Sequence, residues 1–210
     1  MKLILIRHGQ TEWNRARRVQ GRTDVALNET GRLQAEAIAR RLAKEKIHGI
    51  YSSPLSRAKE TAGAIAAAQG LPKAKEIDGL TEICFGQWEG KNSLELEREF
   101  PELWINWNWV LHPEICASIG AESAAEILER ALHSLARIGK EHEEKDCVAV
   151  VSHTMPIKLI TAHAIGLPLT DIRALRLDNC SYTELKLGAD LRGSLITWND
   201  TVHLAERGLL

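Results

Sequence analysis

The sequence predicts an α/β protein built on a mostly parallel sheet. Three observations carry this expectation. Continuous apolar runs at residues 3–6 and 147–151 read as strands buried on both faces. Segments with helical periodicity lie between the strand signals, so that strand and helix alternate along the chain. Both apolar runs also stop abruptly at a polar segment holding a histidine, Arg7-His8-Gly9 in the first case and Ser152-His153-Thr154 in the second.

Taken in order, residues 3–6 form the first strand. Over 31–46, Ala35, Ile38, Ala39 and Leu42 recur at helical spacing among Arg, Gln and Glu, and Asn28 or Thr30 can cap that helix. Residues 49–51 suit a short strand. Ser53-Pro54 then reads as N-cap and first helical position of a helix that Gly70-Leu71-Pro72 stops. Residues 92–118 are expected to insert one or two short helices, marked by Trp104, Trp107 and Trp109 behind Phe100-Pro101. A helix over 122–143 leads to the strand at 147–151, and a further helix runs from Pro156 to Ile165. Alternation over 182–187 and 195–198 gives the last strands. No repeat, linker or low-complexity tract interrupts the 210 residues, so one domain over 1–210 is expected, with its insertion at about 92–118.

The composition is 44% hydrophobic and 26% charged, that of a soluble globular chain able to build a core without disulfides or a structural metal. A net charge of -1 argues against a nucleic-acid partner, although a local cluster of Arg and His can still meet an acidic ligand. Cys84, Cys116, Cys147 and Cys180 show no CxxC spacing, which predicts neither a disulfide framework nor a metal site. The apolar run at 3–6 is too short for a signal peptide or a membrane span. A cytoplasmic location without a membrane partner is therefore expected.

In open α/β sheets ligands bind beyond the carboxyl ends of the strands. His8 and His153 stand at two such ends, and Arg57 falls in the first turn of the helix after the strand at 49–51. With helix N-termini on the same rim, these side chains suit a phosphate.

Arg7-His8-Gly9-Gln10-Thr11, followed by Glu12-Trp13-Asn14, resembles the signature of the histidine phosphatase superfamily, the phosphoglycerate-mutase-like proteins. Gly21-Arg22-Thr23-Asp24, Ser53-Pro54-Leu55-Ser56-Arg57-Ala58, Leu80-Thr81-Glu82-Ile83 with Phe85-Gly86-Gln87-Trp88-Glu89-Gly90, and Val151-Ser152-His153 resemble its later blocks, in the right order. The resemblance covers nearly the whole chain. It implies a three-layer α/β/α sandwich with a small helical lid and no cofactor. His8 would attack phosphorus, Arg7, Arg57 and His153 would cradle the non-bridging oxygens, and Glu82 would protonate the leaving oxygen and later activate water. Asn14, Gln20, Gly21, Thr23 and Thr154 are substrate-binding candidates, Asn14 and Thr23 being equally readable as capping or turn residues. Glu12 and Glu89 lie near motif positions comparable to that of Glu82. Thr154 departs from the glycine that many members carry after the second histidine, which points to altered substrate preference.

The chemistry agrees with those roles. A nucleophilic imidazole must be neutral, and neighbouring cations disfavour imidazolium. The same charges stabilise the transferring group. Phosphomonoester hydrolysis is favoured over a mutase reaction because residues 92–116 hold one basic residue, Arg98, against Glu95, Glu97, Glu99, Glu102 and Glu114. An acidic, Trp-rich lid suits a small phosphoester with an apolar or aromatic portion, and within the phosphatase branch the chain resembles α-ribazole-5'-phosphate phosphatases and broad-specificity phosphatases. Tryptophans packing the segment onto its own domain, or forming a homodimer contact, explain the pattern as well. Arg15, Arg17, Arg18 and Arg22 are either a solvated face or a positive approach to the pocket. A phosphate-binding protein without activity is the reading from another class.

Overall fold

The computed structural model describes the backbone of residues 1–106 and 108–210; Trp107 and the side chains of Trp104, Ile105, Asn106 and Asn108 lie outside the described residues. In chain order the elements are β1 (Lys2–Arg7), α1 (Glu12–Arg15), α2 (Glu29–Leu42), β2 (Gly49–Ser52), α3 (Ser56–Gln69), β3 (Lys75–Glu76), α4 (Ser93–Glu99), α5 (Pro101–Asn106), α6 (Pro113–Ile119), α7 (Ala124–Lys140), β4 (Cys147–Ser152), α8 (Thr154–Ile165), β5 (Tyr182–Leu187), β6 (Gly193–Asp200) and α9 (Val202–Ala205). Short 3₁₀ turns lie at Asp78–Leu80, Gly86–Trp88, Asn108–Leu111 and Leu169–Ala174.

The six strands form one sheet in the order β3-β2-β4-β1-β5-β6. Strands β3, β2, β4 and β1 run parallel, β5 runs against β1, and β6 runs against β5. All six residues of β4 are buried, which explains why its sequence is a continuous apolar run without alternation. Side chains of β1 serve both faces in turn. Ile4 and Ile6 pack with Ile38 and Leu42 of α2 and Ile65 of α3, whereas Leu3 and Leu5 pack with Leu135 of α7 and Ile157 of α8. Helices on both faces of the sheet make three layers, as expected.

Local sequence explains most boundaries, but several moved: α2 runs over Glu29–Leu42 rather than 31–46, α7 over Ala124–Lys140 rather than 122–143, and the starts of α3 and α8 shift as well. The Asn28 side chain caps α2 by accepting from Gly31 N–H at 2.8 Å. Helix α3 begins at Ser56 rather than at Ser53-Pro54. The Ser53 hydroxyl is engaged with His153 Nε2 at 2.7 Å, and the cap comes from Asp24, whose Oδ1 accepts from both Ser56 N–H and Ser56 Oγ–H at 2.8 Å. Helix α8 begins at Thr154, two residues before the expected start, which leaves Pro156 in the first turn where its missing N–H breaks no helical bond.

The insertion holds three α-helices and a 3₁₀ turn rather than one or two helices. A third apolar cluster joins it to the sandwich, through Leu96, Trp109, Val110 and Cys116 against Ile127 of α7 and Met155 and Leu159 of α8. Trp109 is fully buried, edge-on to Trp88 at 5.0 Å and tilted against Phe85 at 5.9 Å. This tryptophan is therefore a packing residue and does not face the pocket. Among the described residues, no helix is long and apolar enough to cross a membrane.

Candidate active site

Adjacent parallel strands bring the two histidines together. Arg7 at the end of β1 pairs with Ser152 at the end of β4, so His8 and His153 emerge side by side with ring centroids 5.0 Å apart. Strand β2 pairs with β4 on its other edge and delivers Ser53, and the first turn of α3 delivers Arg57. An open cavity of about 380 Å³ lies over this rim.

His8 is almost wholly buried, and its Nδ1 lies 2.7 Å from the carbonyl oxygen of Gly9. A carbonyl only accepts, so Nδ1 carries the proton and Nε2 keeps its lone pair. The Gly9 peptide is itself held: its N–H donates to Thr61 Oγ1 at 3.1 Å, and a Cβ on Gly9 would lie 2.4 Å from the carbonyl oxygen of Gly31. In return, a Cβ on Gly31 would lie 2.1 Å from the carbonyl oxygen of Gln10, so the His8 loop and the start of α2 meet backbone to backbone. Burial, then the guanidinium groups of Arg57 and Arg7, push His8 well below the ordinary imidazole range and keep the ring neutral.

His153 is fully buried and is pushed down for the same reasons, burial first and Arg57 second. It lies beside His8 without being part of the cavity's lining, and its Nδ1 has no partner among the described residues. Arg57 is also fully buried. Its Nη1 donates to the Thr23 carbonyl at 2.9 Å and its Nη2 to that of Gly21 at 2.7 Å. With the Gln20 amide oriented as its neighbours require, Gln20 Oε1 accepts from Arg57 Nε and Nη1 at 2.8 Å each and its NH₂ donates to Thr11 Oγ1. Burial lowers Arg57 to about 10, which leaves it charged at neutral pH. Arg7 donates through Nη1 to the Leu177 carbonyl at 2.6 Å.

Glu82 lines the same cavity at the N-terminus of α8. Its Oε1 accepts from Ile83 and Met155 N–H and its Oε2 from Thr154 N–H, all at 3.0 Å. The carboxylate thus caps a helix whose own N-cap residue, His153, makes no side-chain cap bond.

Arg7, His8, Arg57 and Glu82 line the cavity, as do Asn14, Gln20, Gly21 and Thr154. Asn14 Oδ1 accepts from Thr11 N–H at 3.1 Å and from Asn179 Nδ2 at 3.3 Å, which leaves its own NH₂ as the donor for a ligand. Thr23 is exposed and outside the lining. Its N–H and hydroxyl both bind Glu89 Oε2, at 2.9 and 2.5 Å, while its carbonyl holds Arg57. The basic cluster divides: Arg15 pairs with Glu12 at 2.8 Å and Arg22 with Glu122 at 2.6 Å, whereas Arg17 and Arg18 line the cavity.

Sequence reasoning missed three residues here. Asn179 lines the cavity and donates to the His8 carbonyl at 2.9 Å, but it sits in a motif-free loop before β5. Arg130 of α7 donates to the backbone carbonyls of Thr81 and Glu82. Phe85 is the aromatic residue of the lining; its place in the Phe85-Gly86-Gln87-Trp88 block was the available signal.

Residues 3–201 match the family described as histidine phosphatase superfamily (branch 1). The chain is similar to phosphoserine phosphatase 1 of Hydrogenobacter thermophilus, with 36% identity over 98% of this chain and 95% of the relative. It is similar also to the metal-independent phosphoserine phosphatase of Arabidopsis thaliana, with 34% identity over 100% and 85% of the two chains. Among solved structures, a mutant phosphoserine phosphatase from Entamoeba histolytica in complex with phosphoserine superposes with a TM-score of 0.81 and 32% identity, over 97% of this chain and 98% of that one.

Proposed function

The chain belongs to the histidine phosphatase superfamily, branch 1, and is a phosphomonoesterase; we propose that it works without a metal, through a phosphoryl group carried on His8. The observation that carries this reading is the hydrogen bond from His8 Nδ1 to the Gly9 carbonyl. It commits the other ring nitrogen, Nε2, to nucleophilic attack.

In this reading Nε2 attacks phosphorus and the ester oxygen leaves. Charge on the phosphoryl oxygens is met by Arg7 and Arg57, with His153 and the Asn14 amide as further donors. Glu82 Oε2, which carries a single backbone hydrogen bond, gives its proton to the leaving oxygen. Water then attacks the phosphohistidine and returns a proton to Glu82, releasing inorganic phosphate and restoring neutral His8. Gln20 and the Gly21 and Thr23 carbonyls serve by fixing Arg57, and Thr154 by offering its N–H to Glu82.

Small phosphomonoesters are the substrate class. Phosphoserine is the first to test, since two of the relatives are named for it. α-Ribazole 5'-phosphate belongs in the same panel, although its appeal rested on an aromatic lid and Trp109 is turned into the core. The deciding experiment is hydrolysis of para-nitrophenyl phosphate in excess EDTA by the wild type and His8→Ala. Activity that resists EDTA and vanishes in the variant supports the proposal. Activity that persists in His8→Ala, or that EDTA abolishes, overturns it.

A further inference from the structure

Lys158 is an ammonium without a counter-ion. It is half-buried in α8, and among the described residues no carboxylate lies within ion-pair distance and no hydrogen bond reaches its Nζ. Segments 104–106 and 108 hold no acid either. Its Nζ keeps contact with water and is free to pair with an anion that a ligand brings.

Its position suggests which ligand. Lys158 follows Thr154 by four residues, so the two share one face of α8, and a helical side chain reaches back over the turn before its own Cα. That turn holds Thr154 and Met155, which line the catalytic cavity. The same two residues, with Lys158, Ile172 and Arg173, line a second cavity of about 100 Å³. The two spaces therefore adjoin across Thr154 and Met155. The amine also feels the catalytic centre: burial and then Arg7 push Lys158 below the ordinary lysine range, while Glu82 opposes them.

We propose that the space beside Lys158 is a subsite for a carboxylate borne by the substrate a few bonds from its phosphate. The small volume suits one carboxylate, and the geometry selects phosphorylated hydroxy or amino acids over simple phosphate esters. Lys158 is then a specificity-determining residue. The inference rests on the phosphatase reading above, since it presumes that phosphate occupies the cavity over His8.

Phosphoserine and phosphoethanolamine differ by the carboxylate alone, so the ratio of their kcat/KM values reads this subsite. The wild type should prefer phosphoserine at least tenfold. Lys158→Met should collapse the preference to within about threefold, mainly through KM for phosphoserine, and Lys158→Arg, which keeps the charge, should retain most of it. A preference unchanged in Lys158→Met overturns the proposal. So does a wild type that hydrolyses para-nitrophenyl phosphate but shows no preference. A wild type inactive on all three esters would instead overturn the phosphatase reading itself.

Discussion

Arg130 and Glu122 form a two-pronged ion pair, Nε to Oε1 and Nη2 to Oε2, both at 3.0 Å. The same guanidinium donates to the carbonyls of Gly79, Thr81 and Glu82 at 2.9, 2.7 and 3.0 Å, and Glu122 accepts from Cys84 N–H at 2.9 Å. The loop carrying Glu82 is thus suspended from α7. Arg22 adds a contact of 2.6 Å to Glu122, tying in the loop whose carbonyls anchor Arg57.

Arg130 is accordingly a positioning residue. Arg130→Met should destabilise the fold by about 2–4 kcal/mol, because it strips partners from three carbonyls and a carboxylate. It should also lower kcat by about ten- to a hundredfold, with KM changing less. Steady-state kinetics beside a urea titration separate the two effects. A stability loss with kcat intact would leave Arg130 a purely structural role.

The buried histidines make stability depend on pH in a defined window. His8 and His153 are held below the ordinary imidazole range in the fold, so between that range and their folded values the unfolded chain binds more protons. Their contribution is present above about pH 6.5 and is lost as pH falls below it. The urea midpoint should drop from pH 7 to pH 5, and the double variant His8→Gln/His153→Gln should flatten that drop. Parallel curves for the two proteins would contradict the assignment.

Asp24 caps a helix from outside its own chain segment. Asp24→Ala removes the acceptor of both Ser56 bonds at the end of α3 that carries Arg57. A loss of about 1 kcal/mol is expected, as for other helix caps, together with a severalfold fall in kcat/KM. Unchanged kinetics would mean that the carbonyls of Gly21 and Thr23 alone fix the guanidinium.

Trp109→Ala tests the assignment of that residue to the core. Removing a fully buried indole should cost about 3–5 kcal/mol, with KM for small esters altered little. If stability held and KM for aromatic esters rose instead, Trp109 would belong to the pocket.

Residues 3–6 and 147–151 announced the central strands because both faces of the sheet are covered, and their abrupt polar ends marked the rim. The start of α3 was illegible for a physical reason. Ser53-Pro54 has the local form of a cap, but the Ser53 hydroxyl serves His153, a hundred residues away, and Asp24 supplies the cap across 32 residues. Asn179, Arg130 and Lys158 escaped notice likewise: nothing beside them in sequence is unusual, and their significance comes from the elements packed around them. Thr23 shows the converse. It sits inside a recognisable motif, yet its hydroxyl is spent on Glu89 and only its backbone oxygen reaches Arg57.

The contact of Gly9 with Gly31 locates the attacking ring by main chain pressed on main chain. Exposed side chains hop among rotamers on picosecond to nanosecond timescales, whereas the Gly9 peptide, packed against Gly31 and bonded to Thr61, is held by main-chain contact. The position of the reactive nitrogen is therefore set by backbone contact, which Gln34 of α2 reinforces by accepting from Gln10 N–H at 2.9 Å. The two glycines themselves are frozen, because even one methyl group at either position would wedge the nucleophile's loop away from the helix that backs it.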